Sequence, residues 1–127
     1  MESNLDYILV VEDDKALRET LCEALQLEGY TAVCLENGQA ALKYLETGAR
    51  PCMVLLDLMM PIMDGWTFRH EMLKDERLAS IPVVVMTAAT PDRAAAISSQ
   101  AVLYKPLHMS KVVDVVQEYC PGGAAPN

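Results

Sequence analysis

The sequence predicts an α/β domain, with a parallel sheet covered by helices on both faces. Three observations carry this. Five short, β-rich apolar runs recur along the 127 residues. Each run is followed by a segment with apolar residues at helical spacing. The runs are almost continuously apolar rather than alternating, as strands buried on both faces are. Strands that alternate with helices call for right-handed crossovers and a parallel sheet. At this length one domain is expected, over residues 1–120, and it is long enough to bury a core of its own.

The first strand is expected at 7–11 and ends abruptly in Glu12-Asp13-Asp14. Asp14 suits an N-cap. The helix behind it places Leu17, Leu21, Ala24 and Leu25 on one side, and Gly29 stops it. Residues 30–35 read as the second strand. Asn37-Gly38 opens a second helix with Ala40, Ala41, Tyr44 and Leu45 on one face and Gly48 at its end. The third strand, 52–56, runs straight into Asp57. A loop over 58–63 leads to Asp64-Gly65 and a third helix carrying Trp66, Phe68, Met72 and Leu73. The fourth strand, 81–86, ends at Thr87, and a short Ala-rich helical segment covers 91–99. The fifth strand, 101–104, ends at Lys105-Pro106. A last helix over 109–119 carries Val112, Val113, Val115 and Val116. The Gly/Ala/Pro-rich residues 121–127 read as a flexible tail or the start of a linker.

Composition narrows the function. Ten Lys and Arg against 18 Asp and Glu leave a net charge of −8. Such a surface is ill suited to nucleic acid or to an anionic membrane, both of which need basic residues. No apolar run is long enough to span a bilayer, and the first residues lack the basic and apolar regions of a secretory signal. A cytoplasmic protein is expected. Cys22, Cys34, Cys52 and Cys120 form no CxxC pair and have apolar neighbours. They read as small, reduced core residues rather than zinc ligands or disulfides.

In open α/β sheets ligands collect beyond the carboxyl ends of the strands. Those ends carry Glu12 and Asp13, then Asp57, Thr87 and Lys105. Singly, each has an ordinary reading as a helix cap, loop acid or surface lysine. Together they gather three carboxylates, a hydroxyl and an ammonium at the ends of four strands. Crowded carboxylates repel one another, and a hard cation such as Mg²⁺ relieves them. Lys105 and Thr87 suit an arriving phosphoryl group, and small Ala88 leaves room for its backbone N–H to approach. Asp57 would then be the covalent nucleophile.

Four segments carry a resemblance. They are Ile8-Leu9-Val10-Val11-Glu12-Asp13-Asp14, the run from Val54 to Gly65 around Asp57, Val84-Val85-Met86-Thr87-Ala88, and Tyr104-Lys105-Pro106-Leu107. In order and spacing they resemble the motifs of the response-regulator receiver family, over roughly residues 6 to 120. The resemblance implies a (βα)₅ flavodoxin-like fold with strand order 2-1-3-4-5. It implies that Asp57 accepts a phosphoryl group from a histidine kinase or a histidine phosphotransfer protein. Asp13, Asp57 and the Met59 backbone carbonyl would bind Mg²⁺, with Glu12 acting through a water. Thr87, Ala88 and Lys105 would hold the phosphoryl oxygens. Output would pass to a downstream protein, and the domain would signal rather than turn over a substrate. The exposed side of the first helix, around Ala16 and Thr20, would receive the histidine-containing partner.

Two departures from the family pattern stand out. Val102 occupies the usual aromatic switch position, while Tyr104 is expected on the other side of the strand. The stretch from Thr87 to Lys105 is short by about one helical turn, so the fourth helix is expected to be truncated. The apolar Met59 and Ala89 stand where the family tunes dephosphorylation, which implies a fairly long-lived phosphorylated state. Three rival readings remain. A pseudo-receiver would act as a phosphorylation-independent interaction domain. An aspartyl-phosphate phosphatase would need an acid where Met59 stands. A flavin carrier would need a phosphate-binding loop where Glu12-Asp13-Asp14 stand. His70 and His108 read as surface residues, and Trp66 as packing at the surface edge.

Overall fold

A computed structural model describes residues 7–48 and 50–121. The tail expected over 121–127 lies outside this range apart from Pro121. Five strands form one parallel sheet: β1 (Tyr7–Val11), β2 (Thr31–Leu35), β3 (Met53–Asp57), β4 (Val83–Thr87) and β5 (Ala101–Tyr104). Their order is β2-β1-β3-β4-β5, as the resemblance implied. Among the described residues the helices are α1 (Lys15–Leu27), α2 (Gly38–Leu45), α3 (Gly65–Leu73), α4 (Glu76–Ala79), α5 (Pro91–Ala94) and α6 (Met109–Tyr119).

The apolar strands alternate between two cores. Leu9, Val54, Leu56, Val83 and Val85 face Ala41, Leu45, Phe68, Met72 and Ile97. Ile8, Val10, Leu55, Val84 and Met86 face Leu21, Leu25, Val112 and Val116. Both faces of the central strands are therefore covered, and their sequences need no polar alternation. Burying one such side chain is worth roughly 1.5–3 kcal/mol. Asp14, Asn37 and Asp64 cap their helices, accepting from the N–H groups of Leu17, Ala40 and Thr67.

Several expectations shift. Strand β4 starts at Val83 rather than residue 81, because Ile81 closes a turn onto the Leu78 carbonyl and Pro82 has no N–H to offer. Helix α4 was not anticipated; four residues behind the Asp75 cap are too few for a periodic signal. The segment expected to be helical over 91–99 is helical only at Pro91–Ala94. Beyond it the chain tightens through Ala96 N–H to the Arg93 carbonyl and then seats Ile97 in the core. That leaves Gln100 N–H free to reach the Val83 carbonyl at 2.8 Å and start β5.

The cysteines need the largest correction. Cys52 and Cys120 form a disulfide with their Cα atoms 5.8 Å apart, although 68 residues separate them in sequence. The parallel topology sets the start of β3 beside the end of α6, which spacing along the chain conceals. Cys22 and Cys34 are free and half-buried, as expected.

Candidate functional site

The parallel sheet delivers each predicted site residue to the same edge. Asp57 ends β3, pairs in register with Met86, and is 2% exposed. Thr87 ends β4, pairs with Tyr104, and is fully buried. Glu12 follows β1 directly and is also buried, while Asp13 is exposed. One carboxylate oxygen from each of Glu12, Asp13 and Asp57 lies within 4.8 Å of the others. Lys105, just past β5, sets its Nζ 2.9 Å from Glu12 Oε1 and 3.5 Å from Asp57 Oδ2.

The backbone fixes these side chains. Met59 N–H donates to Asp57 Oδ1 at 3.3 Å, and Asp14 N–H donates to Glu12 Oε2 at 3.1 Å. Thr87 Oγ1 accepts from Ala89 N–H at 2.8 Å, and the Thr87 carbonyl accepts from Lys105 N–H at 2.8 Å. Ala88 is exposed beside Thr87. The loop after Asp57 is drawn in tightly. Gly65 N–H donates to the Leu58 carbonyl at 2.8 Å, and a Cβ at Gly65 would stand 2.6 Å from the Asp57 carbonyl. Only glycine allows that approach. Two residues at the loop's rim are apolar and open to solvent: Met59 is 49% exposed and Ile62 is 74% exposed. Ile62 also adopts φ 71°, a left-handed conformation costly for a β-branched residue.

Electrostatics follow from this crowding. Burial pushes the Asp57 carboxyl up, Glu12 adds to the rise and Lys105 opposes it; the result is about 7. Burial pulls the Lys105 ammonium down, but Glu12 and Asp57 outweigh it and the net shift is upward. The site thus holds its lone ammonium firmly charged beside an acid that gives up its proton reluctantly.

The residues read as surface or switch positions lie outside this cluster. His70 and His108 are exposed and make no part of the cluster. Val102 packs against the core shared with Phe68, and Tyr104 is 47% exposed. The two stand two residues apart, so they share one face of β5 rather than opposite faces. Three contacts were not anticipated. Trp66 Nε1 donates to the Arg93 carbonyl at 3.0 Å, and the Arg93 guanidinium stacks 4.8 Å over the Trp66 ring. Arg69, only 4% exposed, donates from Nε to the Ser98 carbonyl at 2.9 Å. Together they tie α3 to the shortened segment after β4. The sequence signal was the missing turn itself, since a short helix needs neighbours to hold it.

Comparison with known proteins agrees with this geometry. Residues 8–117 match the response regulator receiver domain. The chain is 39% identical to the "Probable methanogenesis regulatory protein FilR2" of Methanothrix harundinacea, covering 91% of this chain and 83% of that protein. It is 36% identical to the response regulator protein FleR of Pseudomonas aeruginosa, but covers only 24% of FleR. Among solved structures, the signal receiver domain of a signal transduction histidine kinase from Syntrophus aciditrophicus superposes with TM-score 0.84 and 26% identity, covering 96% of this chain and 95% of that one. The response regulator TrrA from Thermotoga maritima, solved in complex with Mg²⁺–BeF, gives TM-score 0.79 at 30% identity, covering 91% and 99%. The fold and the strand-end cluster define a receiver domain of two-component signalling. This chain belongs to the response regulator receiver domain family.

Proposed function

We propose that the chain is a phosphoacceptor. Asp57 takes a phosphoryl group from the phosphohistidine of a histidine kinase or phosphotransfer protein, and a downstream protein reads the changed surface. The observation that carries this reading is the buried Asp57 carboxylate, grouped with two further acids within 4.8 Å and an ammonium 3.5 Å away. Such a cluster is costly unless a cation joins it. Its donors are all hard oxygens, which suits Mg²⁺. Asp13, Asp57 and the Met59 backbone carbonyl would hold the ion, with Glu12 reaching it through a water. Bound there, Mg²⁺ neutralises the carboxylates and the incoming phosphoryl oxygens. The Mg²⁺–BeF complex of TrrA supports the same reading here.

The chain's own residues supply the rest. An Asp57 oxygen attacks phosphorus as the donor's P–N bond breaks, and the imidazole leaves with a proton from water. Lys105, already held beside Asp57, pairs with the phosphoryl oxygens. The Thr87 oxygen accepts from Ala89 N–H, so its own proton is available to a phosphoryl oxygen. Ala88 N–H would be a second donor. The apolar Met59 and Ala89 offer no group to orient an attacking water, so the phosphoryl group is shed slowly. The role is signalling in the cytoplasm, not turnover.

Val102 and the four-residue α5 favour the second reading, a pseudo-receiver. Titration with MgCl₂ and then beryllofluoride, followed by Trp66 fluorescence and calorimetry, separates the two. A phosphoacceptor responds to both, and Asp57→Asn loses the beryllofluoride response. A wild-type chain silent to both is a pseudo-receiver.

A further inference from the structure

Two of the three clustered acids, Glu12 and Asp13, sit on one short turn between β1 and α1. The acids repel one another and Asp13 is exposed, so the turn needs a restraint from outside the cluster. The restraint comes from α1. Arg18 Nη1 donates to the Glu12 carbonyl at 3.0 Å and reaches the Asp13 carbonyl at 3.3 Å. These carbonyls belong to the residues whose carboxylates face Asp57. Asp14 N–H to Glu12 Oε2 and Leu17 N–H to Asp14 Oδ1 tie the other side of the turn, both at 3.1 Å. Arg18 is half-buried, and the two N–H groups of Nη1 lie in the fixed plane of its guanidinium, so one nitrogen holds both carbonyls in one orientation.

We infer that Arg18 is a positioning residue for the divalent cation: it does not touch the ion but fixes the backbone that aims Glu12 and Asp13 at it. This rests on the metal-binding reading above. Mg²⁺ demands near-octahedral geometry, so small drifts of a carboxylate are penalised.

Charge and geometry make opposite predictions here. A guanidinium near the cluster repels a cation, so if Arg18 acted only through charge, removing it would tighten Mg²⁺ binding. If it acts by positioning, removing it weakens binding. The test is calorimetric titration of the full chain with MgCl₂ for wild type, Arg18→Met and Arg18→Lys. Arg18→Met is expected to weaken Mg²⁺ by about tenfold, as outer-shell changes do. Arg18→Lys keeps the charge but replaces the planar Nη1, which serves both carbonyls, with a freely rotating ammonium on a different stem, and should fall between the two. Hydrogen exchange should quicken at residues 12–14 in Arg18→Met while the sheet amides stay protected. Equal or tighter Mg²⁺ binding in Arg18→Met overturns the inference. Should that variant fail to fold, Arg18→Lys binding as tightly as wild type overturns it as well. A wild-type chain that takes up no Mg²⁺ at all removes the metal-binding reading instead, and the inference with it.

Discussion

Asp57 concentrates the chemistry of this domain into one side chain. It is buried against Glu12, and its folded value of about 7 lies above the 3.8 of a free carboxyl. A raised acid costs stability when it ionises. Below about pH 4 folded and unfolded chains both hold the proton. Between about 4 and 7 only the folded chain does, so metal-free stability falls as pH climbs through that window and then levels off. Urea unfolding in chelator should show this decline. Asp57→Asn should flatten it and be more stable than wild type at pH 8, by on the order of 2 kcal/mol. A variant that keeps the wild-type slope would mean that another group titrates. Ile62 is the second strained residue. Replacing it with glycine should stabilise the domain by about 1 kcal/mol in the same assay, because φ 71° costs glycine nothing. Asp57 was legible in the sequence, as an acid ending an apolar strand. Ile62 was not, since no β-branched residue announces a left-handed backbone.

At the scale of elements, the strands and long helices were readable because their residues face one core each. Leu21 and Leu25 in α1, or Phe68 and Met72 in α3, leave little choice of face. The short elements were harder. Helix α4 is four residues behind a single Asp cap, and α5 is four residues with no side-chain cap at all. Helix α3 holds α5 through Trp66 on Arg93, and the chain beyond it through Arg69 on Ser98. Trp66→Leu removes the Nε1 hydrogen bond and the ring beneath Arg93, costing about 1 kcal/mol. Hydrogen exchange over residues 91–100 should then quicken by roughly fivefold, with β1 and β3 unchanged. Uniform quickening across the sheet would show that Trp66 supports the whole core instead. The segment begins four residues after Thr87, so the site and the clamp are neighbours along the chain.

Across the whole molecule, the parallel sheet explains both what was foreseen and what was missed. Its carboxyl edge gathers Glu12, Asp57, Thr87 and Lys105, and this could be read from strand ends alone. At the opposite edge it brings Cys52 to Cys120, and no local pattern marks a pair 68 residues apart. Closing so long a loop restricts the unfolded chain, and on the chain-entropy view that is worth up to about 4 kcal/mol. Reduction should therefore lower the unfolding midpoint by on the order of 10 °C. Thiol titration of the unreduced, denatured chain should find only Cys22 and Cys34 reactive. Four reactive thiols would contradict the disulfide. No helix among the described residues is long and apolar enough to cross a membrane.

Asp57 is the proposed phosphoryl acceptor. Intact mass after incubation with acetyl phosphate and Mg²⁺ tests it most directly, with Asp57→Asn and a chelated sample alongside. One phosphoryl adduct is expected in the wild-type chain, absent in Asp57→Asn and absent without Mg²⁺. No adduct on a folded, Mg²⁺-loaded wild type would contradict it, as would an adduct that survives in Asp57→Asn.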